Sequence, residues 1–313
     1  MHGEANGKDQ RVARGVEYAV AAYLLWGFLT VYWKQLDGFD AVELIAWRMV
    51  CASVVMAAVV TVHGSWSTMR AAFSSRSTLV RLAAAAVLLT LNWGSYVWAV
   101  VNDRVIETAL GYFLAPLGTM AIGVLAFGET PTRAQRAAFV LASIAVVVLT
   151  VSYGRPPWVA AIIAITWSAY GAAKRTTSLG PVESLAGETF VVLVPATVGI
   201  IALSSSATSV VATATATEWL FVLGTGVVTA VPLMLFARAA QTVPFTLLGP
   251  LNLLVPVINF GLGWWWYGES MPTDRVMGFA FVWAALFVVT WDQLSARRRV
   301  APAGATARGT VGV

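Results

Sequence analysis

Long apolar segments separated by short polar connections dominate the chain. Ten such spans can be distinguished, and they cover residues 16–33, 41–63, 79–101, 105–127, 134–153, 157–173, 183–203, 219–238, 244–267 and 273–292. Most approach the roughly 20 residues that a helix needs to cross a hydrocarbon core of ~30 Å. Because they are continuously apolar and do not alternate as barrel strands do, we predict an all-α membrane protein with ten transmembrane helices.

The composition agrees with this pattern and narrows the chemistry. Of the 313 residues, 58% are hydrophobic and 11% are charged, whereas a globular protein carries about 25% charged residues. A single cysteine, Cys51, leaves no disulfide framework or thiolate metal site, and two histidines leave little for histidine-based metal or triad chemistry. We therefore expect no cofactor, no metal and, in the absence of a Walker-type glycine-rich loop, no ATP site.

The basic residues indicate how the chain is oriented. With a cytoplasmic N-terminus, fifteen of the 20 Lys and Arg residues lie in inside segments and four in outside segments, while Arg48 falls within a span. The positive-inside rule therefore predicts a multi-pass protein of the cell inner (plasma) membrane with both termini in the cytoplasm.

The sequence repeats itself at an offset of 140 residues. The offset places Gly128-Glu129 on Gly268-Glu269 and Pro116 on Pro256. We predict a cytoplasmic tail (1–15), two five-helix repeats (16–153 and 157–292) and a disordered cytoplasmic tail (293–313). Since five is odd, the second repeat enters the membrane from the opposite side, which is the inverted topology that many secondary transporters use for alternating access.

Two charged residues within spans are candidates for a central cavity. Arg48 lies about eight residues into the second span, and the offset of 140 residues pairs it with Glu188. A charge at that depth costs several kcal/mol in lipid unless it faces a partner or a wet cavity. Two alternatives stay open: each side chain snorkels toward its nearer surface, or the two form a static ion pair.

Polar and aromatic residues in the other spans complete the candidate site. Asn92 and Tyr96 are four residues apart and share a helix face. The candidate substrate-binding set is Arg48, Asn92, Trp93, Tyr96, Tyr112, Glu188, Asn252 and Asn259, with Pro116 and Pro256 as candidate hinges. Interhelical hydrogen bonds for the asparagines and packing for the aromatic residues are the competing interpretations. Together these residues suit an amphipathic organic molecule better than a bare ion.

Several stretches resemble a known family. The segments "GVEYAVAAYLLWGFLTVYWKQL", "LNWGSYVWAVVNDRVIETALGYFLAPL" and "GVVTAVPLMLFARAAQTVPFTLLGPL" resemble the first, third to fourth and eighth to ninth spans of RarD-like proteins of the EamA family, in the drug/metabolite transporter superfamily. The resemblance covers about residues 15–292 and implies a ten-span inner-membrane carrier of drugs or metabolites. The sequence differs from the family pattern at Trp47, Ala115 and Asn252-Leu253.

The expected function is secondary active transport of a small organic metabolite or drug by alternating access. A membrane channel or a sensory membrane protein is the alternative. A membrane enzyme is not expected, because the few carboxylates near the spans form no paired Asp-rich motif for Mg²⁺. The expected partners are a small organic substrate and the lipid bilayer, with protons as a candidate coupling ion and a homodimer as a candidate assembly; no nucleic acid is expected.

Overall fold

A computed structural model describes residues 2–128, 130–174, 178–206, 208–243 and 251–300 of the chain, and in these ranges every regular element is helical. The helices are α1 (His2–Trp33), α2 (Ala41–His63), α3 (Trp66–Ser74), α4 (Arg76–Val101), α5 (Val105–Phe127), α6 (Arg133–Tyr153), α7 (Trp158–Lys174), α8 (Pro181–Leu203), α9 (Val210–Thr213), α10 (Ala216–Thr242), α11 (Leu254–Gly261) and α12 (Thr273–Val300). A 3₁₀ turn follows α1 at Lys34–Leu36, and a π-helical turn follows α11 at Leu262–Trp266.

Eight of the described helices are long and apolar enough to cross a membrane. They correspond to all the predicted spans except the sixth and the ninth. Helix α7 has only 17 residues, and the predicted ninth span begins at 244–250, outside the described residues. The all-helical membrane class is therefore confirmed, whereas the number of ten spans stays a prediction.

The two predicted tails differ from the structure at their helical ends. Helix α1 begins at His2, within the segment predicted as a tail, and α12 continues to Val300, within the segment predicted to be disordered. Ala, Gln, Leu and Arg in these segments are good helix formers, so each helix extends past its apolar span. Residues 301–313 lie outside the described part of the chain.

The two Gly-Glu turns have the same backbone geometry at their glycines. Gly128 has φ of +66° and Gly268 has φ of +67°, the left-handed conformation that glycine adopts without strain. The prediction that glycine ends each apolar span is therefore confirmed. Glu129 itself lies outside the described residues.

The chain forms two compact units: residues 1–122 with 157–271, and residues 123–156 with 272–313. In the second unit, α6 and α12 pack in antiparallel orientation, because Thr132 near the start of α6 donates to Asp292 near the end of the apolar part of α12 at 2.9 Å. A Cβ added to Gly278 would lie 2.5 Å from the Leu149 side chain. The two helices therefore pack closely at this point.

Three helix pairs organise the first unit: α1 with α10, α2 with α8, and α4 with α7. All three pairs are antiparallel; for example, Trp98 at the end of α4 packs on Trp158 at the start of α7, with ring centroids 4.8 Å apart. Helix α2 also packs closely on α10, since a Cβ added to Gly226 would lie 2.5 Å from the carbonyl oxygen of Cys51. These pairs surround the cavity described below.

Two carboxylates tie the connecting helices to the long ones. Glu43 on α2 is fully buried and accepts hydrogen bonds from the Val210 N–H (3.0 Å) and the Ser209 hydroxyl (3.0 Å) at the start of α9. Glu183 on α8 accepts a hydrogen bond from the hydroxyl of Ser65, the residue before α3, at 2.8 Å. Glu43 and Glu183 are themselves 140 residues apart, so the repeat carries a shared type of contact.

Candidate functional site

A cavity lies inside the first unit, between its long helices. It offers about 80 Å³ to the centres of water-sized molecules, several times the roughly 10–15 Å³ that one water requires. The residues that line it are Trp26, Leu29, Arg48, Leu89, Trp93, Tyr96, Tyr112, Trp167, Tyr170, Leu185, Leu233, Asn252, Val255 and Pro256. The cavity therefore has mainly apolar and aromatic walls with a few polar groups, as small-molecule sites do.

Arg48 carries the only formal charge among the described residues that line this cavity. Its Nε donates to the Thr229 hydroxyl at 3.0 Å, and its guanidinium lies 3.9 Å from the centre of the Trp93 ring. The side chain is only 3% exposed, and its Nη1 has no hydrogen-bond partner among the described residues. The structure thus places Arg48 on the cavity and does not show it snorkelling to a surface.

Glu188 lies behind the cavity wall and does not form the predicted type of pair with Arg48. Its carboxylate forms an ion pair with Lys174 and accepts hydrogen bonds from Ser184 (3.1 Å) and Tyr170 (2.9 Å). Tyr170 lines the cavity, so one hydrogen bond separates Glu188 from it. Lys174 is one turn beyond Tyr170 on α7, and this local geometry supplies a nearer cation than α2 can.

A hydrogen-bonded chain links Tyr96 to two buried polar groups. Thr30 donates to the Asn259 Oδ1 at 2.9 Å and lies 2.8 Å from the Tyr96 hydroxyl. Because the single Thr30 proton goes to Asn259, the tyrosine hydroxyl is the donor to Thr30. Asn259 is fully buried, and its Nδ2 has no partner within the described part of the chain. It therefore positions Tyr96 and does not itself line the cavity.

Asn92 makes interhelical hydrogen bonds. Its Nδ2 donates to the Ile163 carbonyl and to the Thr166 hydroxyl, both at 3.1 Å, and its Oδ1 accepts from the Tyr112 hydroxyl at 3.3 Å. The Asn92 side chain is fully buried. The structure therefore favours the packing interpretation for Asn92, while its partner Tyr112 lies on the cavity wall.

The two candidate hinges have different surroundings. Pro256 is buried near the start of α11 and lines the cavity with Asn252. Pro116 lies inside α5, and the helix continues through it. Of the three positions that differ from the family pattern, the Asn252 position alone is on the described cavity wall; Trp47 packs against Trp219 with ring centroids 5.1 Å apart.

Three aromatic wall residues were not among the predicted site residues: Trp26, Trp167 and Tyr170. Trp167 and Tyr170 are three residues apart on α7 and share a face. The repeat alignment pairs Trp26 with Trp167 when it slips by one residue, and that signal was available in the sequence.

Glu269 connects the end of the predicted ninth span to the start of α5. Its carboxylate accepts hydrogen bonds from the backbone N–H groups of Val105 and Ile106, the latter at 3.0 Å. Burial raises the pKa of Glu269 to about 7 and outweighs the two amide hydrogen bonds, which lower it. The nearby Asp103 raises this pKa further, and Lys34 lowers it. The carboxyl group therefore titrates near neutral pH.

The chain matches known proteins along nearly its whole length. The model of the EamA-like transporter family matches residues 13–151 and again residues 157–291. The chain is 40% identical to Protein RarD of Streptomyces exfoliatus over 285 residues, which cover 91% of this chain and 90% of that protein. It is 31% identical to the uncharacterized transporter YojE of Bacillus subtilis (strain 168), covering 91% of this chain and 96% of the relative.

A solved crystal structure shares the fold at low sequence identity. It superposes with a TM-score of 0.59 at 18% identity and covers 93% of this chain and 99% of its own. Likeness at this identity concerns the fold alone. The two family matches and the identity to RarD proteins resolve the question of family: the chain belongs to the EamA-like transporter family as a RarD-like protein.

Proposed function

We propose that this protein is a secondary active transporter that moves a small organic metabolite or drug across the inner membrane by alternating access. The observation that carries the proposal is the cavity with aromatic walls and a single buried cation, Arg48. Helices from both predicted repeats line it, including α2 and α4 from the first and α7 and α8 from the second. The names of the relatives, among them an uncharacterized transporter, support the same function.

The packing of the helices supports the proposed inverted repeat. An offset of 140 residues relates α2 to α8 and α6 to α12, and both pairs pack in antiparallel orientation. The same exchange converts the pair α1–α10 into the pair α7–α4, which is also present. Mates that run in opposite directions are what an inverted repeat requires.

Cysteine labelling in intact cells tests this topology. Thr130 and Ser270 are both exposed and follow the two Gly-Glu turns at an offset of 140 residues. In a Cys51→Ala background, the proposal expects a membrane-impermeant reagent to label Ser270→Cys from outside and Thr130→Cys only after permeabilisation. Labelling of both cysteines from one side contradicts the inverted repeat and the placement of both termini in the cytoplasm.

Transport itself is tested with purified protein in two stages. A thermal-shift screen of amino acids, amines, organic acids and antibiotics identifies ligands that stabilise the folded protein. The stabilising compounds are then measured for uptake into proteoliposomes. Saturable uptake that is accelerated by unlabelled compound inside the vesicles supports a carrier. Flux that rises linearly without such acceleration supports a channel, and binding without flux supports a sensory protein.

Glu188 is the proposed proton site, because it is a buried carboxylate one hydrogen bond from the cavity-lining Tyr170. If protons drive transport, collapsing an imposed pH gradient stops concentrative uptake by the wild type, and Glu188→Gln transports only down the substrate gradient. Uptake that is indifferent to the gradient in both proteins excludes protons. A homodimer is a further proposal, and measuring the mass of the detergent-solubilised protein tests it.

A further inference from the structure

The guanidinium of Arg48 has unused hydrogen-bonding capacity beside the cavity. Thr229 takes its Nε, while its Nη1 is buried without a partner in the described ranges. The face of Trp93 offers cation–π stabilisation at 3.9 Å, but an aromatic face does not accept the directional hydrogen bonds of a guanidinium as an oxygen does. A buried cation with a free donor requires an anionic or strongly polar acceptor.

The protein's nearby carboxylates are already engaged elsewhere. Glu188 pairs with Lys174, and Glu43 accepts from Val210 and Ser209 at the start of α9. Within the described residues, no carboxylate oxygen lies within 4.0 Å of the Arg48 nitrogens. The counter-charge for Arg48 is therefore open to be supplied by a ligand.

The rest of the wall defines the body of that ligand. Rings of Trp26, Trp167 and the cavity tyrosines face it together with leucines, and Asn252 adds one amide. Aromatic walls favour flat apolar groups, which they contact by offset or edge-to-face stacking. We propose that the substrate is a small organic monoanion, a carboxylate on a flat apolar body, whose carboxylate pairs with Arg48. This inference rests on the proposed transport function and specifies its substrate class.

The same charges argue against related ligands. An amine would place a second cation near Arg48, and no described wall residue carries a carboxylate to hold it. An amino acid would leave its ammonium group with only amide, hydroxyl and ring acceptors. A doubly charged anion such as a phosphate monoester would have one cation for two negative charges. A monoanion is the species that balances the cavity.

Four probes of similar shape test the inference: 3-phenylpropanoate, its neutral amide, 3-phenylpropylamine and phenylalanine. Binding to purified wild-type protein is measured by tryptophan fluorescence and checked by thermal shift. Since a hydrogen bond to a charged group contributes more than a neutral one, 3-phenylpropanoate is expected to bind roughly tenfold to a hundredfold more tightly than the amide. The amine and phenylalanine are expected to bind more weakly than the anion.

Variants then assign the preference to Arg48. Arg48→Gln is expected to bind anion and amide equally, and Arg48→Lys to retain part of the preference. Arg104→Gln is the matched control, because Arg104 also lies over a tryptophan, 4.8 Å from the Trp98 ring, but does not line the cavity. It is expected to keep the full preference for the anion.

The outcomes separate this inference from the proposed function. Equal binding of anion and amide by the wild type, tighter binding of the amine, or no binding of the anion each overturns the inference. Saturable flux of a neutral or cationic compound from the wider screen would at the same time leave the transport function standing. Absence of saturable flux for every stabilising compound contradicts the transport function, whatever the four probes show.

Discussion

Replacing Glu269 with glutamine tests the most specific electrostatic feature outside the membrane spans. Glu269 lies in the connection before α12, where its carboxylate meets the first N–H groups of α5. Glutamine keeps the size and one acceptor oxygen but does not ionise. The variant therefore isolates the effect of charge on the contact between α5 and the connection.

The size and sign of the effect follow from the pKa. Burial raises the pKa of Glu269 in the folded protein to about 7 from its ordinary value of 4.5, a difference that corresponds to about 3 kcal/mol. Partial exposure reduces this to about 2 kcal/mol. Because the folded-state pKa is the higher one, the stabilisation is complete below pH 4.5 and is lost as pH rises through about 7.

The assay compares apparent unfolding midpoints of wild type and Glu269→Gln in detergent between pH 5 and pH 8. Relative to the variant, the wild type is expected to lose about 2 kcal/mol across this range, or roughly 4–8 °C in midpoint. Asp103→Asn is the companion variant, because Asp103 raises the pKa of Glu269 and asparagine tolerates its φ of +56°. It is expected to reduce the pH dependence without abolishing it.

Two results would refute this reasoning. If the midpoints of wild type and Glu269→Gln change in parallel with pH, Glu269 does not titrate in this range. If the wild type gains stability relative to the variant as pH rises, the two amide hydrogen bonds of the α5 N-terminus outweigh burial, and the pKa of Glu269 is lowered instead of raised.

Three further predictions concern packing and buried charge. Gly226→Ala is expected to lower the unfolding midpoint by the equivalent of about 1–3 kcal/mol, because the new Cβ meets the α2 backbone; Gly171→Ala, where nothing lies within 4 Å, is expected to be neutral or stabilising. Glu43→Ala is expected to cost about 1–3 kcal/mol, since it leaves a buried N–H of α9 unpaired. Lys174→Met is expected to cost about 3–5 kcal/mol by leaving the buried Glu188 unpaired, and adding Glu188→Gln should restore most of that loss. All are measured by thermal unfolding in detergent, and a harmful Gly171→Ala or a harmless Lys174→Met would contradict the assigned contacts.

Helix positions could be predicted from the sequence because bilayer thickness sets their lengths. The second predicted span, 41–63, has the bounds of α2, with Asp40 capping its start and Gly64 in the left-handed conformation at its end. Short connecting helices could not be predicted in this way. Helix α3 has only 9 residues, and no constraint of length separates such a helix from a polar loop.

The rotation of each helix was harder to predict than its position. In a soluble protein a polar face shows which side of a helix is exposed, but a span in lipid is apolar on every side. Arg48, Trp93 and Tyr96 therefore lie on the cavity wall as predicted, whereas Asn92 and Asn259 lie behind it. Only the packing of neighbouring helices separates these two groups.

The repeat is symmetric in its scaffold and asymmetric in its cavity. Glu43 and Glu183 each hold a connecting segment, and Gly128 and Gly268 share one backbone conformation. At the cavity the mates differ in sign, and only the acidic one, Glu188, has its counter-charge within the described protein. Alternating access by two related halves requires similar scaffolds, but recognition of an asymmetric molecule requires wall residues that differ. If Arg48 binds the substrate, its lack of a protein counter-ion is what leaves the site open to an anion, and adding an internal carboxylate partner by Thr229→Asp should abolish anion binding while leaving the fold intact.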